Sequence, residues 1–250
     1  MKMNSNTILI TGGSSGIGKG LAEAFHKLGN QVIISSRREE ILRSVCTANP
    51  GMRYFVMDIT DLSSVRNTAR KIVEEFPALN CVFNNAGVQQ RHDFAAGHSL
   101  DDAAMLKVID ANLVGVIRVC AEFIPHLKNQ QSATLVNVSS GLAFVPLAMF
   151  PVYCATKAAV HSFSISLRHQ LKESKVKVIE LIPPYVATHL GGGSTPPAGA
   201  PQPMPLDDFV AETMSELAGD ADELAIGGAK NLLAATGPES VRKIFAGMNR

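Results

Sequence analysis

The sequence predicts an α/β fold, a doubly wound and mostly parallel sheet of six or seven strands with helices on both faces. Three observations carry this. Short β-branched runs alternate along the chain with longer segments of helical period, the pattern of strands joined by crossover helices. The first run opens directly into a glycine-rich turn and then a one-sided apolar helix. Finally, 46% of the 250 residues are apolar, which is ample for one large core. A single domain spanning 1–250 is therefore expected.

Strands are expected at 7–11, 31–35, 53–58, 81–84, 134–139 and 177–182, where Val, Ile, Phe and Thr concentrate. Between them, 16–28 places Ile17, Leu21, Ala24, Phe25 and Leu28 on one face, and Gly29 follows as a left-handed cap. Further helical periods run over 39–47, 63–76, 99–127 and 152–173, the second entered through Asp61 and Ser64, which supply N-cap chemistry. Right-handed crossovers put helices on both faces and gather the carboxyl ends of the strands along one rim, where ligands bind. Residues 191–205, GGGSTPPAGAPQPMP, break the rhythm, so 189–206 is expected to be a flexible substrate loop, read either as a surface insertion or as a lid. After it come a helix at 206–217, a short seventh strand at 223–227 and two short helices within 228–249.

Composition narrows the function. Twenty-three Lys and Arg against twenty-two Asp and Glu leave a net charge of +1, too little to drive counterion release along a phosphate backbone. Nucleic acid is not an expected partner. No apolar run approaches the roughly 18 residues of a membrane span, and residues 1–6 do not resemble a signal peptide, so neither a membrane nor secretion is expected. Cys46, Cys81, Cys120 and Cys154 are scattered without a Cys-x-x-Cys pair, which suits a reduced, cytoplasmic setting and predicts no metal.

The first strand runs into Thr11, Gly12, Gly13, Ser14, Ser15, Gly16, Ile17 and Gly18. Glycines there permit a tight turn and close approach of a pyrophosphate, and the helix start offers free N–H groups and a positive dipole end. The second strand ends at Ser35, Ser36, Arg37 and Arg38. An acidic residue there would accept the ribose 2′-OH of NAD, whereas two guanidiniums suit a 2′-phosphate. NADPH is therefore expected in preference to NADH, against the alternative that the arginines are merely a solvated helix start. Ser140 at the end of the fifth strand is followed by Tyr153 and Lys157, four apart and so on one helix face. A cation beside the phenol is expected to pull its pKa down from about 10 toward working pH.

TGGSSGIG, Asn84-Asn85-Ala86-Gly87, Asn112, the spacing from Ser140 to Tyr153 and Tyr153-x-x-x-Lys157 occur together and in order. The chain from Asn6 to about Thr188 thereby resembles the short-chain dehydrogenase/reductase family in its single-domain Rossmann form, and within it a group of bacterial oxidoreductases. The resemblance implies that Tyr153 exchanges a proton with the substrate oxygen while hydride moves between nicotinamide and carbonyl carbon. It also implies that Lys157 holds the nicotinamide ribose and tunes Tyr153, that Ser140 orients the carbonyl, and that Asn112 kinks its helix and holds a water. Asp58 and Ile59 would flank the adenine, and Asn85, Ala86 and Gly87 would pass the adenosine ribose, although Asn85 also suits a capping role within its turn. Pro183, Val186 and Thr188 would meet the nicotinamide carboxamide, with Pro184 standing where the family usually has Gly and removing one N–H. The implied activity is NADP-dependent interconversion of a carbonyl and an alcohol on a small-molecule substrate, by a homodimer or homotetramer. Val88, Gln89, Gln90, Ala143, Phe144, Phe150 and Tyr185 are candidates for the pocket wall. The competing reading is a dinucleotide-binding regulator with no turnover. Retention of Ser140, Tyr153 and Lys157 weighs against it.

Overall fold

A computed structural model describes residues 1–95, 101–190, 202–235 and 237–249. Seven parallel strands form one sheet in the order β3-β2-β1-β4-β5-β6-β7. They are β1 (Thr7–Thr11), β2 (Gln31–Ser36), β3 (Arg53–Val56), β4 (Leu79–Asn84), β5 (Ala133–Val138), β6 (Val176–Ile182) and β7 (Glu223–Ala225). The helices are α1 (Gly16–Lys27), α2 (Glu39–Ala48), α3 (Leu62–Glu75), α4 (Asp102–Ile109), α5 (Gly115–Lys128), α6 (Pro151–Gln170), α7 (Leu206–Leu217), α8 (Ala229–Leu233) and α9 (Gly237–Met248). The doubly wound α/β expectation is met, with the short seventh strand included.

The strands are apolar at nearly every position because both faces of the sheet are covered. Alternation divides their side chains: Ile8, Ile10, Cys81, Phe83, Val136 and Val138 enter one core with Leu21 and Phe25 of α1 and Phe209 and Leu217 of α7. Leu9, Val82, Leu135 and Val178 enter the other, with Val65 and Ile72 of α3, Val119, Phe123 and Leu127 of α5, and Val160 and Leu167 of α6. Strand order reverses between β1 and β4, and the crevice at that switch point is where such sheets take ligands.

Most boundaries shift by a few residues, and two of the differences fall at the rim. The segment expected as one helix over 99–127 is α4, capped by the Asp101 carboxylate accepting from Ala104 N, then a π-helical turn at Asp110–Val114, then α5. An inserted π turn is invisible to a 3.6-residue period, since both flanking helices keep that period. β5 ends at Val138, and Ser140 instead caps a short 3-10 turn, Gly141–Ala143. Of the expected loop, 191–201 lies outside the described residues, while Met204 bridges to Val186. No described helix is long and apolar enough to cross a membrane.

Phe123 is fully buried on α5 in the second core. Replacing it with Ala removes a ring that the rigid sheet cannot follow, so urea unfolding is expected to show a loss of about 3–5 kcal/mol. A loss below about 1 kcal/mol would contradict this packing.

Candidate functional site

The glycine-rich turn is held from both sides. Gly12 and Gly16 adopt positive φ, +69° and +53°, which side chains disfavour. A Cβ at Gly12 would lie 2.8 Å from Ala86 Cα, and one at Gly18 would lie 2.4 Å from Asn85 Nδ2, so the turn packs directly on the turn after β4. Thr11 Oγ1 donates to Phe83 O and accepts from Asn85 N and Ala86 N, both at 3.1 Å. Asn85 Nδ2 donates to Thr11 O at 2.9 Å. Both side chains thus join the two turns, and the Asn85 amide serves the turn after β1 rather than capping within its own. The first N–H groups of α1 have no partners within the helix.

Beside this turn lies the end of β2. Arg38, the N-cap residue of α2, donates from Nη2 to Ser15 Oγ at 3.4 Å, and its N–H donates to Ser36 Oγ at 3.3 Å. Arg37 Nη1 lies 4.0 Å from Asp58 Oδ2, with both side chains well exposed. Ser15, Ser36, Arg37, Arg38 and Asp58 therefore gather at one place, as the sequence reading placed them. Ser14 is buried, and Ile17 packs on the first core. Ile59 is buried under the start of α5, where a Cβ on Gly115 would come within 2.9 Å of its side chain. Thr188 closes the other side: a Cβ on Gly16 would lie 3.4 Å from its side chain. Pro183 O accepts from Gly141 N at 2.9 Å, and buried Val186 sits between Tyr185 and Ala187, which are both hydrogen-bonded to Met204. These bonds bypass Pro184, whose missing N–H leaves the loop's pairing with Met204 intact.

Asn112 lies in the π turn and is fully buried. Its Oδ1 accepts from Val88 N at 2.8 Å, and its Nδ2 donates to Val88 O at 2.8 Å and Thr156 Oγ1 at 3.2 Å. One amide thus ties the π turn to the segment after Gly87 and to α6. On α6, Lys157 is 4% exposed and donates from Nζ to Val138 O at 2.8 Å. A Cβ on Gly87 would lie 3.1 Å from Asn112 Oδ1 and 3.8 Å from Lys157 Nζ, so Gly87 leaves open the space in front of both. Ser140 is buried, and its hydroxyl accepts from Leu142 N at 3.1 Å. Val88, Leu142, Leu147, Phe150 and Val152 pack around Tyr153 and Cys154 and make that wall apolar.

The expectation for Tyr153 is corrected here. Burial pushes its phenol up to about 12, partly opposed by the Ser140 hydroxyl. The ammonium of Lys157 stands over the ring, 5.7 Å from its centroid, and donates to Val138 O. Lys157 itself is driven down to about 8 by burial, with Glu180 opposing. Desolvation therefore outweighs the cation.

Sequence reasoning missed Glu180, fully buried in β6, where Ser139 Oγ donates to Oε1 and His161 Nδ1 lies 2.7 Å from Oε2. The available signal was a lone carboxylate in the otherwise apolar run VIELI. Of the proposed wall residues, Phe144 packs with Ile182, Ala225 and Ala229, and Tyr185 is exposed.

The sequence profile described as short chain dehydrogenase matches residues 6–197. The oxidoreductase DltE of Bacillus subtilis is 46% identical over 193 residues, covering 76% of this chain and 75% of that protein. The NADPH-dependent 1-acyldihydroxyacetone phosphate reductase of Schizosaccharomyces pombe is 36% identical over 186 residues, 73% of this chain and 60% of its own. Among solved structures, a short chain dehydrogenase from Burkholderia cenocepacia in complex with NADP superposes with a TM-score of 0.82 at 26% identity, covering 99% of both chains. With a sheet of matching topology and this extent of sequence identity, the chain belongs to the short-chain dehydrogenase/reductase family of oxidoreductases.

Proposed function

We propose that the protein is an NADP-dependent oxidoreductase that interconverts a ketone or aldehyde with the corresponding alcohol. The observation that carries this is the convergence of Asn112, Ser140, Tyr153 and Lys157 at the carboxyl rim, next to the glycine-rich turn. The residues present fit a dinucleotide: the cleared space at Gly87, the turn with two positive-φ glycines, and the open start of α1 form a cradle for a pyrophosphate. Arg37 and Arg38 beside Ser15 supply the guanidiniums a 2′-phosphate would take. NADP in the similar Burkholderia structure and NADPH dependence in the Schizosaccharomyces relative agree with that choice. When bound, the cofactor supplies or takes the hydride.

This chain's own residues manage the proton and the geometry. Tyr153, protonated at neutral pH like any tyrosine and held further from ionisation by burial, is placed to donate its phenolic proton to a carbonyl oxygen. Ser140 lies beside the phenol and orients the same oxygen. Lys157 keeps N–H donors beyond the one given to Val138 O, and these face the space left open by Gly87. Thr11, Asn85 and Asn112 act by holding the two turns and α6 in place. The apolar wall from Val88 to Val152 favours an apolar carbonyl substituent. Exposed Ile117 on α5 and Ile165 on α6 suit contact with a second copy of the chain.

Three measurements test this. Tyr153→Phe is expected to cut turnover about 10²–10⁴-fold with any accepted carbonyl, leaving the NADPH dissociation constant within about twofold. Full turnover in that variant would remove Tyr153 as proton donor. Arg37→Ala and Arg38→Ala are expected to weaken NADPH by about tenfold or more while changing NADH little, by fluorescence titration. Equal weakening of both would overturn the 2′-phosphate assignment. Because the Tyr153 pKa is raised, reduction should hold steady through neutral pH, whereas alcohol oxidation, which needs the phenolate, should climb toward alkaline pH. Oxidation that peaks below neutral pH would contradict this.

A further inference from the structure

We propose that Glu180 is a positioning residue for the candidate site, holding Ser139 and His161 with its two carboxylate oxygens and standing as the buried counter-charge to the Lys157 ammonium. The role in the reaction rests on the reading of Lys157 given above; the charge pairing does not.

A fully buried carboxylate costs several kcal/mol unless it is well partnered, and a strand between two cores offers no reason of its own for one. Glu180 stands opposite Asn137 of β5 and Glu223 of β7, with its backbone N donating to Asp222 O at 2.8 Å. Both of its side-chain partners adjoin the site. Ser139 immediately precedes Ser140. His161 follows Lys157 by one helical turn on α6, so the two project from the same face toward β6. Lys157 Nζ bonds Val138 O, and Val138 pairs with Leu181, the residue after Glu180. Glu180 and the carbonyl that receives the Lys157 ammonium thus lie on adjacent strands at the β5-β6 seam, inside the protein where screening by water is weak. Among the described residues, no direct ion pair of 4.0 Å or less joins carboxylate and ammonium. Glu180 is the charge that opposes the downward pull of burial on Lys157.

The other charged groups around Glu180 are matched elsewhere. Glu223 accepts from Arg168 Nη1 at 3.5 Å. Asp222 lies 3.7 Å from both Arg168 Nε and Lys177 Nζ. Ligand atoms of His161, Glu180 and Glu223 lie within 4.8 Å of one another, but Arg168 and Ser139 already engage the two carboxylates, so the cluster needs no cation. His161 is 25% exposed and stands edge-on to Phe144, with centroids 4.6 Å apart, which gives the buried carboxylate a contact with the surface. A glutamine at 180 would fill the same space and still accept from Ser139. It would carry no charge and would set an amide NH2 where a carboxylate oxygen now meets His161, so the substitution removes the counter-charge to Lys157 together with one acceptor.

The test titrates Lys157 directly in the full chain without cofactor, using NMR of lysine labelled with ¹³C at Cε, with Lys157→Arg assigning the resonance. Glu180→Gln is expected to lower the midpoint by about one pH unit, a tenfold loss of proton affinity. Ser139→Ala, which keeps the carboxylate, is expected to leave it in place. NADPH binding, followed by fluorescence, should fail at correspondingly lower pH in Glu180→Gln. If that variant does not fold, the double variant Ser139→Ala, Glu180→Met removes carboxylate and hydroxyl together and should give the same downward shift. A midpoint moved by less than about 0.3 units on loss of the carboxylate would overturn the proposal. A wild-type chain that fails to bind NADPH, with the Lys157 shift still present, would overturn the proposed function and not this pairing.

Discussion

A parallel sheet covered on both faces has no side left for solvent, and that constraint governs the rest of this molecule. Each strand must be apolar in both directions, so alternate residues of β1, β4 and β5 feed two separate cores. Each strand must also be followed by a crossover that returns the chain to the same end of the sheet. Seven carboxyl ends then line one rim, and the turns leaving β1 and β4 meet at the point where strand order reverses. Thr11 and Asn85 bond those turns together, so the cradle is a product of sheet closure and not of a mobile loop.

The same constraint explains why several polar groups near the rim are buried. Asn112, Lys157 and Glu180 all sit where two packed layers approach the rim, and each is held by named partners. Orphaned, each would cost free energy that the folded state does not have to spare. Paired, they are rigid, and rigidity is what a site needs if its donors are to stand ready before substrate arrives. Burial also sets protonation, raising the Tyr153 phenol and lowering the Lys157 ammonium.

Much of this was legible in the sequence because the signals are local. β-Branched runs, the cap at Gly29 and the glycine-rich turn between a strand and a helix depend on neighbours a few residues away. The gathering of Ser15, Ser36, Arg37 and Arg38 followed from placing two strand ends side by side. Other features left no local trace. The π turn at Asp110–Val114 lies between two segments that keep helical period, and the capping of the 3-10 turn by Ser140 depends on where β5 loses its partner in β6. Glu180 is one carboxylate in an apolar run, and its partners are 41 and 19 residues away.

By itself, the sequence determined the fold class, the order of elements, the location of the rim and the identity of the residues gathered there. These follow from periodicity and residue type, which are properties of neighbours along the chain. Only the tertiary structure decided which of those residues serve the interior, such as Thr11, Asn85 and Ile59, and which face the cleft. It alone reversed the expected direction of the Tyr153 shift. Desolvation and charge pairing depend on distances between residues far apart in sequence, and those distances exist only once the two cores have closed around the sheet.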